Sequence, residues 1–408
     1  MVDSKRRDAY QAFSDSEYES RMEATRQMMR EQDLEALLIY ANSKTQCSNI
    51  QYLANYIGQF HNYLLVFADP AEGATLFVGL TNHVQYGREV SVIDDVRWGE
   101  FPPMETVVDR IRGTDAANGT IGLVGPSSRF DILIPHGHYT TVERELDATL
   151  TDVTGAYGSL QLQKSEEELE QIRTAAALTD AAMEALADGI QPGMDEHELR
   201  HIAHSAYLPE GGSPGVSFVS TASMDDPEPG ACYPWKDEPA PVKIRSGDVV
   251  TTEISASYWG YNGQIHRPLA VGESPNATYR ELFETVSETH DNLLENLYPG
   301  NTAQDIVEAT SPITEAGLSS PDVILHGYGM SLHPPWIGTV DSNYWPNLAD
   351  PDTVPDDEFT FQEDQVVVIQ PNAVTPDGRY GLQFGSTVHI TSSGPELLTN
   401  YPLEFIEV

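Results

Sequence analysis

Apolar positions fall into short runs in the first part of the chain and into long helical periods broken by Pro-Gly turns later on. The first part predicts a helix over 16–32, then strands at 36–40, 63–67 and 74–78, the last two flanking the turn Asp69-Pro-Ala-Glu-Gly73. Another apolar run at 120–124 reads as a further strand, so roughly the first 155 residues predict a compact three-layer α/β domain. A new unit opens at Ser165-Glu-Glu-Glu168, a capping box that starts a long Ala-rich helix reaching about residue 187.

An internal repeat follows. Ile190-Gln-Pro-Gly-Met-Asp195 with the helix containing Leu199 is echoed by Leu297-Tyr-Pro-Gly-Asn-Thr302 with the helix containing Ile306. Each copy is a helix, a Pro-Gly stop, an Asp or Thr cap and a second helix. Strand pairs follow both, at 248–257 with 264–271 and at 365–374 with 380–390. Two such halves can close around a shared sheet and leave a site between them.

Composition narrows the function. The chain of 408 residues is long enough for two cores, since single cores rarely extend far beyond roughly 250 residues. We expect a boundary near 157, with domains 1–157 and 158–408. The net charge is −41, with 22 Lys and Arg against 63 Asp and Glu, spread over both halves. Such repulsion is tolerable where salt screens it, which points to a halophilic cytoplasm. Apart from Lys5-Arg6-Arg7, Lys and Arg are dispersed along the chain, which disfavours nucleic acid as a partner. Cys47 and Cys232 stand far apart without metal-type spacing, and no stretch approaches the roughly 20 apolar residues of a membrane span. The expectation is a cytoplasmic protein acting on a small molecule, off the membrane.

Several ordered motifs carry a resemblance. Ser246-Gly-Asp-Val-Val-Thr-Thr-Glu253, Gly260-Tyr-Asn-Gly-Gln264, His326-Gly-Tyr-Gly-Met-Ser-Leu-His333, Val366-Val-Val-Ile-Gln-Pro371 and Gly381-Leu-Gln-Phe-Gly-Ser-Thr-Val388 resemble, in order, the landmarks of the creatinase/aminopeptidase P/methionine aminopeptidase family over roughly 160–405. The resemblance implies an α/β creatinase-like N-terminal domain followed by an α+β pita-bread domain. It also implies that two aspartates, one histidine and two glutamates hold two divalent ions in the family's metallopeptidases. Here those positions carry Glu253, Gln264, His326, Gln370 and Gly385. One carboxylate against four positive charges predicts no metal and no cofactor.

What remains is a metal-independent reading. Glu253 lies in an apolar and hydroxylic strand, which suits a general base or a nucleophile, or else a structural partner of Arg267. His326 and His333, placed on a Gly-rich loop, are catalytic candidates. Gln264 and Gln370 offer donors and acceptors to substrate, His266 shares the face of Gln264 by alternation, and Tyr233, Trp235 and Tyr328 are candidate pocket walls. Similarity to ectoine hydrolase at Glu253-Ile-Ser-Ala and Gly329-Met-Ser-Leu-His-Pro-Pro-Trp336 implies hydrolysis of a C–N bond in a small cyclic amidine or related solute. The alternatives are an Xaa-Pro metallopeptidase and a non-catalytic peptide-binding module. The family likeness further implies a homodimer in which Phe60, His61 and Asn62 reach across to the partner's pocket.

Overall fold

The computed structural model describes residues 10–42, 48–100, 104–125, 134–230, 242–339 and 359–408. The chain divides into two compact units, one running to Gln161 and the other beginning at Leu162.

The first unit is built on six strands: β1 (Ala36–Ala41), β2 (Asn62–Phe67), β3 (Ala74–Val78), β4 (Asp95–Trp98), β5 (Thr120–Val124) and β6 (Thr149–Asp152), in the order β4-β3-β2-β1-β5-β6. Around them run α1 (Asp15–Glu31), α2 (Ser48–Ala54), α3 (Val84–Val90), α4 (Met104–Ile111), α5 (His136–Glu145) and α6 (Thr154–Ser159). β1 is buried at every position, which is why its run of apolar residues does not alternate. The two strands that the apolar pattern did not predict, β4 and β6, are the edges of the sheet. They are half exposed and carry Asp95, Arg97, Thr149 and Asp152, so no apolar run marks them.

The second unit carries the duplication. α7 (Glu166–Gly189) and α8 (Glu196–Tyr207) precede β7 (Ser213–Ser223), β8 (Asp248–Tyr258), β9 (Tyr261–His266) and β10 (Leu269–Val271). α9 (Ala277–Asn296), α10 (Ala303–Ala309) and α11 (Ser311–Glu315) precede β11 (Leu325–Tyr328), β12 (Leu332–Ile337), β13 (Gln365–Ile369), β14 (Asn372–Val374), β15 (Gly381–Gln383), β16 (Gly385–Thr391), β17 (Gly394–Leu397) and β18 (Ile406–Glu407). Ten strands form one sheet, with the path β12-β11-β13-β16-β9-β8-β10-β18, β7 paired to β8 and β17 to β16. The two Pro-Gly turns match in detail. Gly193 and Gly300 turn at φ 97° and 98°, which only glycine adopts without strain, and each is followed by a complete capping box, Asp195 with Glu198 and Thr302 with Asp305. Gly193 N–H donates to Ile244 O at 2.8 Å and Gly300 N–H to Phe361 O at 2.9 Å, so in each copy the turn docks on the segment just ahead of a strand, β8 in the first and β13 in the second.

Each copy buries its own apolar cluster. Leu178, Met183, Leu186, Leu199 and Tyr207 pack under β8 and β9, while Leu282, Val286, Leu293 and Ile306 pack under β13 and β16. Among the described residues, no helix is long and apolar enough to cross a membrane.

Candidate active site

The site is a polar face on this apolar scaffold. β8 pairs with β9 so that Ser255 faces Gln264, and β9 pairs with β16 so that His266 faces Gly385. β16 pairs with β13, which pairs with β11, placing Val368 opposite His326. Strand alternation therefore puts Glu253, Ser255, Gln264, His266, Gly385, Thr387, Gln370, His326 and Tyr328 on one face. The five residues at positions resembling the family's ligands are thus brought to one place by five neighbouring strands, β11, β13, β16, β9 and β8, with Gln370 just past the end of β13.

The contacts show how they are held. Gln264 Nε2–H donates to Glu253 Oε1 at 2.8 Å and stands 3.3 Å from His266 Nε2, whose ring lies 3.9 Å from Glu253 Oε2. The Gln264 backbone is locked by Thr387, which accepts from its N–H and donates to its carbonyl. His326 Nδ1 faces the Gly327 carbonyl at 3.1 Å; a carbonyl only accepts, so Nδ1 carries the proton and Nε2 is left as an acceptor. Its ring meets Tyr328 edge-on at 5.5 Å and Trp336 at 5.9 Å. Tyr328 donates to Ser255 Oγ at 3.4 Å. Gln370 Nε2 donates to Asp322 Oδ2 at 3.3 Å and to Val323 O at 3.2 Å.

Burial sets the protonation states. Glu253 is 8% exposed, Gln264 1%, His266 0%, His326 3% and Gln370 2%, so water does not solvate this face freely. Desolvation pushes His326 down to about 4, against the opposing pull of Gly327 and Gln370, and it holds His266 well below the ordinary histidine range with His326 and Arg267 adding to the effect. Both rings are neutral near pH 7. Burial drives Asp322 up to about 6 and raises Tyr328 above the usual phenol range.

Arg267 is not built into this face. Its guanidinium donates to Pro402 O, His266 O, Gly385 O, Tyr401 O and Ser386 Oγ, on the other side of the sheet from Glu253. The pairing of Glu253 with Arg267 weighed above gives way to the Gln264 and His266 contacts.

His326 and His333 were expected on a loop. They sit instead on β11 and β12, paired across a bulge between His326 and Gly327. The glycines that suggested a loop serve close approach, since a Cβ on Gly327 would collide with the His333 ring. His333 Nδ1 donates to Pro334 O at 2.7 Å, so Nε2 accepts from Lys164 Nζ at 3.0 Å. Burial, then the Lys164 charge, holds His333 well below its usual range, and burial lowers Lys164 to about 8. Lys164 and Asp322 are site neighbours that the sequence reading missed; no motif distinguishes either one. His61 belongs to the first unit, where its Nδ1 meets Tyr40 Oη at 2.6 Å and its ring lies 4.9 Å from His138. Tyr233 and Trp235 lie outside the described residues.

The donor set does not fit two divalent ions. Glu253 is the one carboxylate among the five positions, and among the described residues no three His, Cys, Asp or Glu side chains stand where they could share an ion. Gly385 shows why the gap is structural. A Cβ there would lie 2.6 Å from His266 Nδ1 and 2.5 Å from Ile369 O, so the His266 ring already fills the space that a side chain from β16 would need.

Comparison with known proteins widens the view. Residues 170–392 match Metallopeptidase family M24, and residues 21–173 match the Creatinase/Prolidase N-terminal domain. The chain is similar to an Xaa-Pro dipeptidase of Pyrococcus furiosus, 24% identical over 88% of this chain and 92% of that one. It is also similar to a methionine aminopeptidase of Aquifex aeolicus, 27% identical over 58% of this chain and 97% of that one. The structure of the prolidase from Pyrococcus horikoshii OT3 superposes with a TM-score of 0.77 at 22% identity, covering 95% of this chain and all of that one.

These likenesses correct one expectation. A metal-independent hydrolase of an ectoine-like solute gives way to the peptidase alternative, because relatives spanning nearly the whole chain are Xaa-Pro dipeptidases. The chain belongs to metallopeptidase family M24, with a creatinase/prolidase N-terminal domain ahead of a pita-bread domain, and is a hydrolase of the creatinase/Xaa-Pro peptidase family.

Proposed function

We propose that the pita-bread unit hydrolyses the peptide bond of a small peptide of the Xaa-Pro kind. The observation that supports it is the coincidence of two things. The chain is similar along nearly its whole length to Xaa-Pro dipeptidases, and the residues at the family's five positions share one buried face. That face has the groups a peptide bond needs. Glu253, steadied by the Gln264 amide, takes the proton of an attacking water and returns it to the leaving nitrogen. Neutral His326, its proton fixed on Gly327, presents Nε2 as an acceptor toward the reacting groups. His333, held by Lys164 and Pro334, acts as a positioning residue for the β11–β12 hairpin.

We also propose a salt-rich cytoplasm, supported by the acidic charge, and a homodimer, supported only by the resemblance to the creatinase/aminopeptidase P family. Release of free proline from Ala-Pro, Leu-Pro and Phe-Pro in molar KCl, with and without added Mn²⁺, Co²⁺ or Zn²⁺, tests the activity. Proline release above that of a Glu253→Gln control is expected. Inertness toward every Xaa-Pro peptide in all conditions removes the reading. Light scattering in the same buffer tests the dimer.

A further inference from the structure

The helix that follows the first Pro-Gly turn carries a motif that the strand face does not use. Within α8 the chain reads His197-Glu198-Leu199-Arg200-His201, two histidines four residues apart around a glutamate. That spacing on a helix sets both side chains on one face, with Cβ atoms about 5–6 Å apart. Imidazoles so placed can share one ion through metal–nitrogen bonds of about 2.0–2.1 Å. α8 turns Leu199, Ala203 and Tyr207 into the apolar cluster, and His197 and His201 are exposed on the side that remains.

A His-Glu-x-x-His pair on a helix is also the arrangement of zinc peptidases, in which the glutamate activates water. Here that glutamate is committed elsewhere. Glu198 Oε2 accepts from the Asp195 N–H at 2.9 Å and lies 3.5 Å from Lys243 Nζ, so it completes the capping box. His204, one turn further along, is half-buried with Nε2 2.9 Å from Ser217 Oγ, and among the described residues no third His, Cys, Asp or Glu joins the pair. His201 Nδ1 stands 3.4 Å from Ser205 Oγ, which leaves Nε2 as the ligand atom. Lys243 is paired with Asp195 and Glu198, so its charge does not repel a cation here. We infer that His197 and His201 form a two-histidine chelate for one divalent transition ion of the Zn²⁺, Ni²⁺ or Cu²⁺ class, with water in the remaining positions. Two imidazoles without a carboxylate select such ions and pass over Mg²⁺ and Ca²⁺, which take oxygen ligands. The pair holds this spacing only while α8 is helical, so the ion stabilises the folded state and clamps the first two turns of the helix. Those turns lead out of the Gly193 turn that docks ahead of β8. With Glu198 held in the capping box, the site binds its ion and carries out no hydrolysis. The inference is independent of the peptide reading.

Calorimetric titration of tag-free, EDTA-stripped protein with Ni²⁺ in molar KCl tests it. His197→Ala and His201→Ala are each expected to weaken Ni²⁺ binding by about tenfold or more. Glu253→Gln should bind as the parent does, which separates this site from the strand face, and His204→Gln should stay within about twofold of the parent. Saturating Ni²⁺ should raise the melting temperature of the parent by more than that of the His197→Ala/His201→Ala double variant. Equal affinity in the parent and the double variant overturns the inference, as does binding that Glu253→Gln abolishes. Loss of binding in His204→Gln overturns the two-histidine assignment. Peptide hydrolysis that needs Ni²⁺ or Zn²⁺ and disappears in His201→Ala overturns the non-catalytic role.

Discussion

The two copies of the repeat in the pita-bread unit share a scaffold and differ in charge. Gly193 docks on Ile244 and Gly300 on Phe361 through the same hydrogen bond, and Glu253 and Gln370 each stand nine residues beyond those acceptors. They are equivalent positions, an anion in the first copy and a neutral amide in the second. The neighbouring strands differ in the same way: β9 brings Gln264 and His266, whereas β16 brings Gly385 and Thr387. A duplicated backbone is held by turns, caps and apolar packing, all of which survive in both copies. The polar face contributes little to that packing, so its chemistry changed without cost to the fold.

If the first copy carries the chemistry, the largest effect comes from its anion. Glu253→Gln should lower kcat by about 10²–10⁴-fold with little change in melting temperature, while Gln370→Glu, which restores a carboxylate in the second copy, should not rescue it. Steady-state proline release on both variants and their combination checks this; a Glu253→Gln enzyme of normal kcat breaks the asymmetry.

The next effect tests the space that His266 takes from Gly385. Gly385→Ala should destabilise by ~1–3 kcal/mol, because the new methyl meets both His266 Nδ1 and the Ile369 carbonyl. Adding His266→Ala should recover only part of the loss, since the backbone oxygen remains. Denaturant melts of the two singles and the double measure the coupling. A Gly385→Ala protein as stable as the parent shows that the ring does not fill the gap.

A smaller effect belongs to Asp322, behind the second copy's amide. Its folded pKa, pushed up to about 6, lies above the ordinary carboxylate value, so between the two the folded state binds more protons and stability falls as pH rises. His326, pushed down to about 4, works in the opposite direction over an overlapping window, because there the unfolded state binds more protons. The Asp322→Asn variant should therefore lose the falling component alone and gain stability relative to the parent as pH goes from 4 to 7. Chemical melts of both proteins across that range decide it; parallel pH profiles would show that Asp322 does not titrate as described.

Lys164 gives the smallest effect. Its folded pKa, lowered to about 8, lies below the unfolded value, so above pH 8 the unfolded chain binds more protons and stability rises toward pH 10. Lys164→Met should flatten that rise and, by releasing His333 Nε2, change KM more than kcat. A kcat loss as large as that of Glu253→Gln would instead make Lys164 part of the chemistry.

Much of the scaffold is written locally. Apolar runs such as 36–41 and capping boxes such as Ser165 with Glu168 depend on neighbours within a few residues, so they are legible in the chain. β4 and β6 were not legible, because edge strands need no apolar run, and the glycines between His326 and His333 suggested a loop when they are there to let two strands and a ring approach. At the site, motif order alone located Glu253, Gln264, His326 and Gln370, and alternation added His266. The roles were less legible, because counting missing ligands says nothing of what the similarity of the whole chain supports.

The sequence by itself determined two units, a duplicated second half, an acidic surface and which residue types occupy the five site positions, since composition and short-range pattern encode these directly. Only the tertiary structure decided the rest. It oriented each amide by the acceptors beside it, set Arg267 on the far side of the sheet, joined Lys164 to His333 and put the His266 ring where a side chain at 385 would go. Those arrangements depend on the register between strands far apart in sequence, and register is settled by packing the whole sheet at once.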